Sequence, residues 1–319
     1  EFATLAAIWI FKQKQVQVAI MEVGMGGRLD AVNLWDADVA IITSIGIDHV
    51  KWLGDNREDI GREKSGIMRS GKPVISGDLN PPESINKYAA EIKAILYQAG
   101  DHFSWKVDDT GWVLRLTNQQ GLDLPFPALQ GDFQFNNAAV AIAALSVLKD
   151  KLDVSEGSIR NGFKKVRLAG RLEQIQTRPD IILDVAHNAH AVKQLALWLS
   201  KSLSKNLPEK QTEQSVKGKT YALFSMLDDK DITEVVKTMT PHVDRWFVST
   251  LDDPRGLPVA DLVREMRAIG NANESQEIEV DAFGSLELAW NACKSQLTEV
   301  DKVIVFGSFL VLSQFKVIF

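Results

Sequence analysis

Three stretches place chemically capable side chains just after apolar runs. EVGMGGRLDAVN, Glu22 to Asn33, brings an acid and three glycines to the end of one such run. Ligands of open α/β sheets collect at the carboxyl ends of strands, so Glu22 either meets a ligand or is a solvated acid on a glycine-rich turn. Gly24, Gly26 and Gly27 miss the dinucleotide pattern G-x-G-x-x-G, because Leu29 stands at its last position. SIGIDHVKWLGDN ends the next run and sets Asp48 and His49 at the same sheet edge. Adjacent strands lie about 4.8 Å apart, so a Glu and a His at neighbouring ends can share a cation; the other reading of His49 is structural. Lys64 falls on the following helical stretch, where an ammonium cannot ligate a metal and reads as an exposed charge.

The third group surrounds a change in the pattern of the chain: QGDFQFNNAA, AGRLEQI and IILDVAHNAHA. Asp184 ends an apolar run and is followed by His187, Asn188 and His190 at a helix start. Asn188 is either a helix cap or a site residue, and Arg171 is either a surface charge or a fork for phosphate. GIMRSGKP, Gly66 to Pro73, satisfies G-x-x-x-x-G-K but is a decoy. Pro73 stands where Ser or Thr should hold magnesium, and a strand follows where a helix should begin.

These residues need an α/β frame. Short β-rich runs alternate with stretches of 3.6-residue periodicity, the mark of parallel sheets with crossover helices. Phe2 to Phe11 reads as a helix internal to a domain, so the chain is expected to begin part-way through one. In the first half, Val16 to Val23, Asp38 to Ser44 and Pro73 to Ser76 read as strands, and Asn56 to Arg69 and Pro82 to Ala99 as helices. His102 to Thr117 alternates around Asp-Thr-Gly and reads as a hairpin in a small antiparallel element. Phe135 to Lys149 and Ser155 to Lys165 read as helices before a boundary near Leu168. A second α/β series follows: strands at Arg171 to Gln176, Ile181 to Val185, Tyr221 to Met226, Trp246 to Thr250 and Val303 to Phe306, a helix from Ala189 to Leu203, and a solvated loop over Ser204 to Lys219.

Composition narrows the function classes. The 319 residues are 45% hydrophobic and 24% charged, which excludes disorder, and a single cysteine excludes a disulfide scaffold or cysteine zinc cage. That cysteine usage fits a reducing compartment, so a cytoplasmic location is expected. A net charge of -6 without a basic, aromatic-interleaved block argues against nucleic acid. No apolar run approaches the roughly 20 residues that span a bilayer. Small-molecule partners and a monomer are expected.

Taken together the chain resembles the folylpolyglutamate synthase/dihydrofolate synthase family, within the ATP-dependent Mur ligases. The likeness runs in order through EVGMGGRLDAVN, TSIGIDHVKWLG, REKSGIMRSGKPVI, QFNNAA, AGRLEQI, DVAHNAHA, FSMLDDKDI, DDPRG and VFGSF. It implies two α/β domains. Residues 1–167 would form a central domain for ATP, magnesium and folate that lacks its phosphate loop, with a parallel sheet and a small antiparallel element. Residues 168–319 would form a Rossmann-like domain for ATP and glutamate. The resemblance implies that Glu22 and His49 bind Mg2+ and that Lys64 is carbamylated, giving an anionic oxygen donor that a hard cation accepts. Leu29, Asp30 and Ala31 then contact the pterin substrate, Asn137, Arg171 and Asp184 contact ATP, and His187 and Ser308 join the site. Asp228, Lys230 and Asp231 belong either to the site wall or to a solvated turn.

The implied reaction is ATP-dependent amide formation between L-glutamate and dihydropteroate or a folate, through an acyl phosphate. The alternatives are a peptide ligase of cell-wall precursors and a non-catalytic ligase-like binding module. Three departures stand out. The phosphate loop is missing, so the polypeptide alone is expected to be inactive. Ala169 and Phe133-Gln134 replace a usual Pro and a His-Gln pair. The chain also stops soon after VFGSF, so its last helix is expected to be shortened or replaced.

Overall fold

The computed structural model describes residues 1–117, 119–205, 218–272 and 278–319. They fall into two compact units, Glu1–Pro127 with Phe135–Lys164, and Ala128–Gln134 with Lys165–Phe319. The second unit thus takes in Ala128–Gln134 and the three residues 165–167, which the sequence reading assigned to the first. Phe133 packs on the second unit's core, which explains that assignment.

In the first unit α1 (Phe2–Lys14) precedes β1 (Ala40–Ile42), α2 (Val50–Leu53), α3 (Arg57–Ser65), β2 (Pro73–Ser76), α4 (Glu83–Glu91) and β3 (Ile95–Gln98). The three strands make a parallel sheet in the order β1-β2-β3, with Ile42, Ser76 and Gln98 in register. One face, through Val74, packs Ile60 of α3 and Ile85 and Ala89 of α4. The other, through Ile75, joins α5 (Phe133–Val147) and an antiparallel sheet of β4 (Phe103–Val107), β5 (Trp112–Leu116) and β6 (Leu122–Leu124). Asn56 caps α3 by accepting from Asp59 N at 3.0 Å. Glu58 then caps α4, accepting from Glu83 N and Ser84 N at 2.8 Å each. These acceptors satisfy amides that a helix start leaves without partners. α6 (Glu156–Lys165) closes the segment.

Two expectations fail here. Val16 to Val23 forms no strand: Val16 and Val18 are 44% and 49% exposed and Ile20 is 91% exposed. Its composition is that of a buried strand, but no strand among the described residues pairs with it, and an extended run needs a neighbour for its amides. The helix expected over Pro82 to Ala99 stops at Glu91. Lys93 turns the chain at φ 59°, and Ile95–Gln98 becomes a strand because β2 offers its edge.

In the second unit β7 (Glu173–Thr177), β8 (Asp180–Asp184), α7 (Ala189–Lys205), β9 (Thr220–Phe224), α8 (Ile232–Met239), β10 (Arg245–Ser249), α9 (Val259–Ala272), β11 (Val280–Phe283), α10 (Leu286–Lys294), β12 (Lys302–Phe306) and α11 (Phe309–Ile318) follow one another. The sheet order is β11-β10-β9-β12-β8-β7, parallel except for β7. α7, α8 and α9 pack one face and α10 and α11 the other. β9 and β12 are buried along their whole length, and Phe224 stacks on Phe306 at 4.7 Å. The loop expected over Ser204 to Lys219 lies outside the described residues between 206 and 217, and α7 runs on to Lys205. The last helix, α11, is present. No helix among the described residues is long and apolar enough to cross a membrane.

Candidate functional site

The glycine-rich stretch of the first unit is a self-bonded loop. Asp30 accepts from Gly24 N (2.9 Å) and Met25 N (3.2 Å) with one oxygen and from Val32 N (2.9 Å) with the other. The loop then lies against the end of α3. A Cβ on Gly27 would come within 3.1 Å of Glu63 O and 3.2 Å of Lys64 O, and one on Gly66 would strike the Arg28 backbone. Only glycine permits approaches this close. A cavity of about 480 Å³ opens beside the loop, lined by Leu29, Asp30, Ala31, Asn33, Leu34 and Trp35, among others. Leu29 and Leu34 are 80% and 71% exposed, so the cavity has an apolar rim.

His49 begins α2 at φ 53° and donates its backbone N–H to the Asp48 carboxylate at 2.7 Å. The loop before it is anchored from below. Asp78, 6% exposed, accepts from Ile45 N (2.7 Å) and Arg57 Nη2 (2.8 Å), while Arg57 Nε donates to Ile45 O (3.0 Å). Lys64, half-buried on α3, has its ammonium pushed down by burial and held up in part by the Asp48 charge. A lowered amine pKa enlarges the uncharged fraction, the form that adds carbon dioxide. Glu22 is exposed. Among the described residues no three His, Cys, Asp or Glu converge as a metal cluster, so Glu22, Asp48 and His49 do not form one.

The second unit builds its polar groups at the carboxyl ends of β8 and β12. Asp184, 7% exposed, accepts from Leu172 N at 2.9 Å and Ala186 N at 2.8 Å. Burial raises its carboxyl above the usual range, opposed by those amides and by the Arg171 charge. Its grip on Leu172, which sits at φ 47° and is 2% exposed, sets the turn that presents Arg171. The Arg171 guanidinium lies 5.6 Å over the Phe309 ring. His187 Nδ1 bonds Val185 O at 2.7 Å, Asn188 Oδ1 accepts from Ala191 N at 2.9 Å, and Ser308 caps α11 by accepting from Val311 N at 3.1 Å. Asp231 caps α8, and Asp228 N bonds Arg255 O at 3.0 Å. Asn137 is exposed on α5.

Comparison with known proteins decides the family. The Mur ligase middle domain matches residues 4–145, and the Mur ligase glutamate ligase domain matches residues 170–309. The dihydrofolate synthase/folylpolyglutamate synthase of Escherichia coli (strain K12) is 40% identical over 97% of this chain and 66% of its own length. The structure of E. coli FolC in complex with DHPP and ADP superposes with a TM-score of 0.86 at 38% identity, over 99% of this chain and 69% of that one. The chain belongs to the dihydrofolate synthase/folylpolyglutamate synthase family of Mur ligases. A further member of the family, solved with Mn, AMPPNP and L-glutamate bound, gives a TM-score of 0.84 at 36% identity, over 99% of this chain and 70% of that one. This chain spans about two thirds of the length of these relatives. Sequence reading found the family's segments but missed Arg28, Glu63, Arg57 and Asp78, whose pairing across 35 and 21 residues no local spacing reveals.

Proposed function

We propose that this chain provides the acid-binding and nucleotide-binding surfaces of an ATP-dependent ligase that joins L-glutamate to 7,8-dihydropteroate and to folates. The observation that carries the reading is the cavity walled by Arg28, Leu29, Asp30 and Ala31 on one side and by Glu1, Thr4 and Leu5 at the start of α1 on the other. In this reading the carboxylate of the bound acid attacks the γ-phosphoryl group of ATP, giving an acyl phosphate and ADP. The amine of L-glutamate then attacks the acyl carbon, phosphate leaves, and the amine proton is lost to solvent. The protein's share is positioning and charge stabilisation.

Leu29 and Ala31 offer the pterin an apolar contact, while Asp30 keeps the loop closed around its own amides. In the second unit Arg171, steadied by Phe309 and by the Asp184-held turn, offers a fork to phosphate with His187 as a further nucleotide contact; in the first unit Asn137 is proposed to contact nucleotide. Ser308 is assigned to the substrate. Glu22, His49 and a carbamate on Lys64 would hold Mg2+: the carboxylate and the carbamate oxygen suit a hard cation, the imidazole is a softer third donor, and Lys64 is sheltered enough for the modification. When bound, the ion would neutralise charge on the transferring phosphoryl group. No G-x-x-x-x-G-K-[ST] loop occurs in the 319 residues, so the isolated chain is expected to bind the acid without releasing ADP. A cytoplasmic location fits its cysteine content and the absence of a nucleic-acid partner fits its charge, and a monomer without membrane partners is proposed with them.

The test is titration of the chain with 7,8-dihydropteroate, read by tryptophan fluorescence, since Trp35 lines the cavity. Saturable quenching supports the reading. Quenching by a UDP-linked peptide precursor and none by dihydropteroate overturns it in favour of a cell-wall ligase. Mn2+ binding followed by electron paramagnetic resonance should be lost in Glu22→Gln and His49→Ala, and unchanged binding in both removes the metal assignment.

A further inference from the structure

The segment Leu29–Ala31 belongs to no strand; what holds it is α3, at the residue just before Lys64. Arg28 N donates to Glu63 O at 2.9 Å. The Arg28 guanidinium then closes on the Glu63 carboxylate, Nε at 3.1 and 3.2 Å from its two oxygens and Nη2 at 3.0 Å from one. Asn33 Nδ2 ties the far side of the loop to the same helix end, bonding Arg28 O (3.1 Å) and Gly66 O (3.0 Å). Asn33 is itself gripped by Arg69 Nη2, at 2.7 Å through its carbonyl and 2.9 Å through its side chain. Two loop residues, 28 and 33, against 63, 66 and 69 on the other side therefore make one seam, with Asp30 closing the loop internally.

The seam is a poor stabiliser. The side chains of Arg28 and Glu63 are 52% and 25% exposed, and an ion pair so wet contributes little to folding. A planar fork on a carboxylate, however, fixes direction as well as distance. We propose that Arg28 and Glu63 are positioning residues, a clamp that sets the acid-binding segment Leu29–Ala31 in register with Lys64 on α3. This rests on the reading above, that Leu29–Ala31 meets the pteroate acid. Lys64 is the next residue after Glu63, so any slack in the clamp shifts the substrate wall relative to the lysine that faces Asp48. The clamp fixes the bound acid's approach while leaving the fold intact.

Dihydropteroate titration of four forms of the chain tests this: wild type, Glu63→Gln, Arg28→Lys and the reversed pair Arg28→Glu/Glu63→Arg. Each single variant should bind about tenfold more weakly with its melting temperature within about 2 °C of wild type, as expected for an exposed pair. The reversed pair should recover most of the loss, which a role in stability alone would not produce. Single variants that bind within twofold of wild type overturn the clamp. Loss in Arg28→Lys and in the reversed pair, with Glu63→Gln unaffected, also overturns it, because Arg28 would then touch the acid directly. A wild type that binds no dihydropteroate removes the acid-binding reading and the clamp together, and so is distinct from either of those results.

Discussion

The two units hold their candidate site residues by opposite means. In the second, Asp184 and Ser308 end or follow strands of a sheet covered on both faces: β9 and β12 are buried at all five positions, and Phe224, Trp246 and Phe306 fill one side of the sheet, while Arg171 stands on the turn before the edge strand β7. In the first, the three-stranded sheet is small, and the segments around Leu29 and His49 are loops fastened by charged side chains, Arg28 to Glu63 and Arg57 to Asp78. Rigidity in the second unit comes from packing, which tolerates little change of volume. Rigidity in the first comes from directional polar bonds, which tolerate little change of charge or shape.

The sharpest way to break this contrast is Phe306→Ala. Removing a fully buried ring should cost about 4 kcal/mol and speed hydrogen exchange at the amides of β9 and β12. A loss below about 1 kcal/mol would mean that packing is not what holds the second unit. Next comes Asp78→Ala, which strips a buried acceptor from Ile45 N and Arg57; urea unfolding should show a loss of about 2–3 kcal/mol, with exchange rising around residues 43–49. If exchange there is unchanged, the His49 loop is not anchored as described.

Cys293 separates the units by pH. Burial pushes its thiol up to about 12, so the folded chain keeps this proton to higher pH than the unfolded one. Its contribution is complete below about pH 9 and is lost as pH rises through about 12, by up to about 1.4 kcal/mol per pH unit. Cys293→Ala should flatten the stability profile between pH 9 and 11, and an unchanged slope would refute the burial argument. The smallest effect is expected of Lys87→Ala, which breaks a pair with Glu83 exposed by 70% on both sides. It should change stability by less than about 0.5 kcal/mol, and a larger change would show that exposed charge pairs contribute more to the first unit than solvent screening allows.

What could be read from sequence divides along the same line. Ile181 to Leu183 and Val303 to Phe306 are continuous apolar runs because both faces of their sheet are covered, and such runs announce themselves. β3 did not, since Ile95–Gln98 follows a helix without a break in hydrophobicity, and only the edge of β2 decides its state. Val16 to Val23 misled for the converse reason: its composition is that of a strand, but a strand is a property of two chain segments. Gly27 marked a loop and Gly66 fell inside the helix expected over Asn56 to Arg69, while the purpose of both, close passage against the backbone of another segment, needed coordinates. Asp184 was recognisable by position and Asp30 only through the family resemblance, while their ties to backbone amides were legible in neither way. The Arg28 to Glu63 seam left no trace in spacing, because charge pairing between distant segments has no period.

Cys293 also has a practical meaning. It is the sole thiol of the chain, it is fully enclosed beside Trp290, and at neutral pH it is almost entirely protonated and therefore unreactive. The native sequence is thus a chemically silent background. A cysteine introduced at Leu29 or Trp52, both exposed, would accept a maleimide dye or spin label as the single modified position, with no need to remove the natural one.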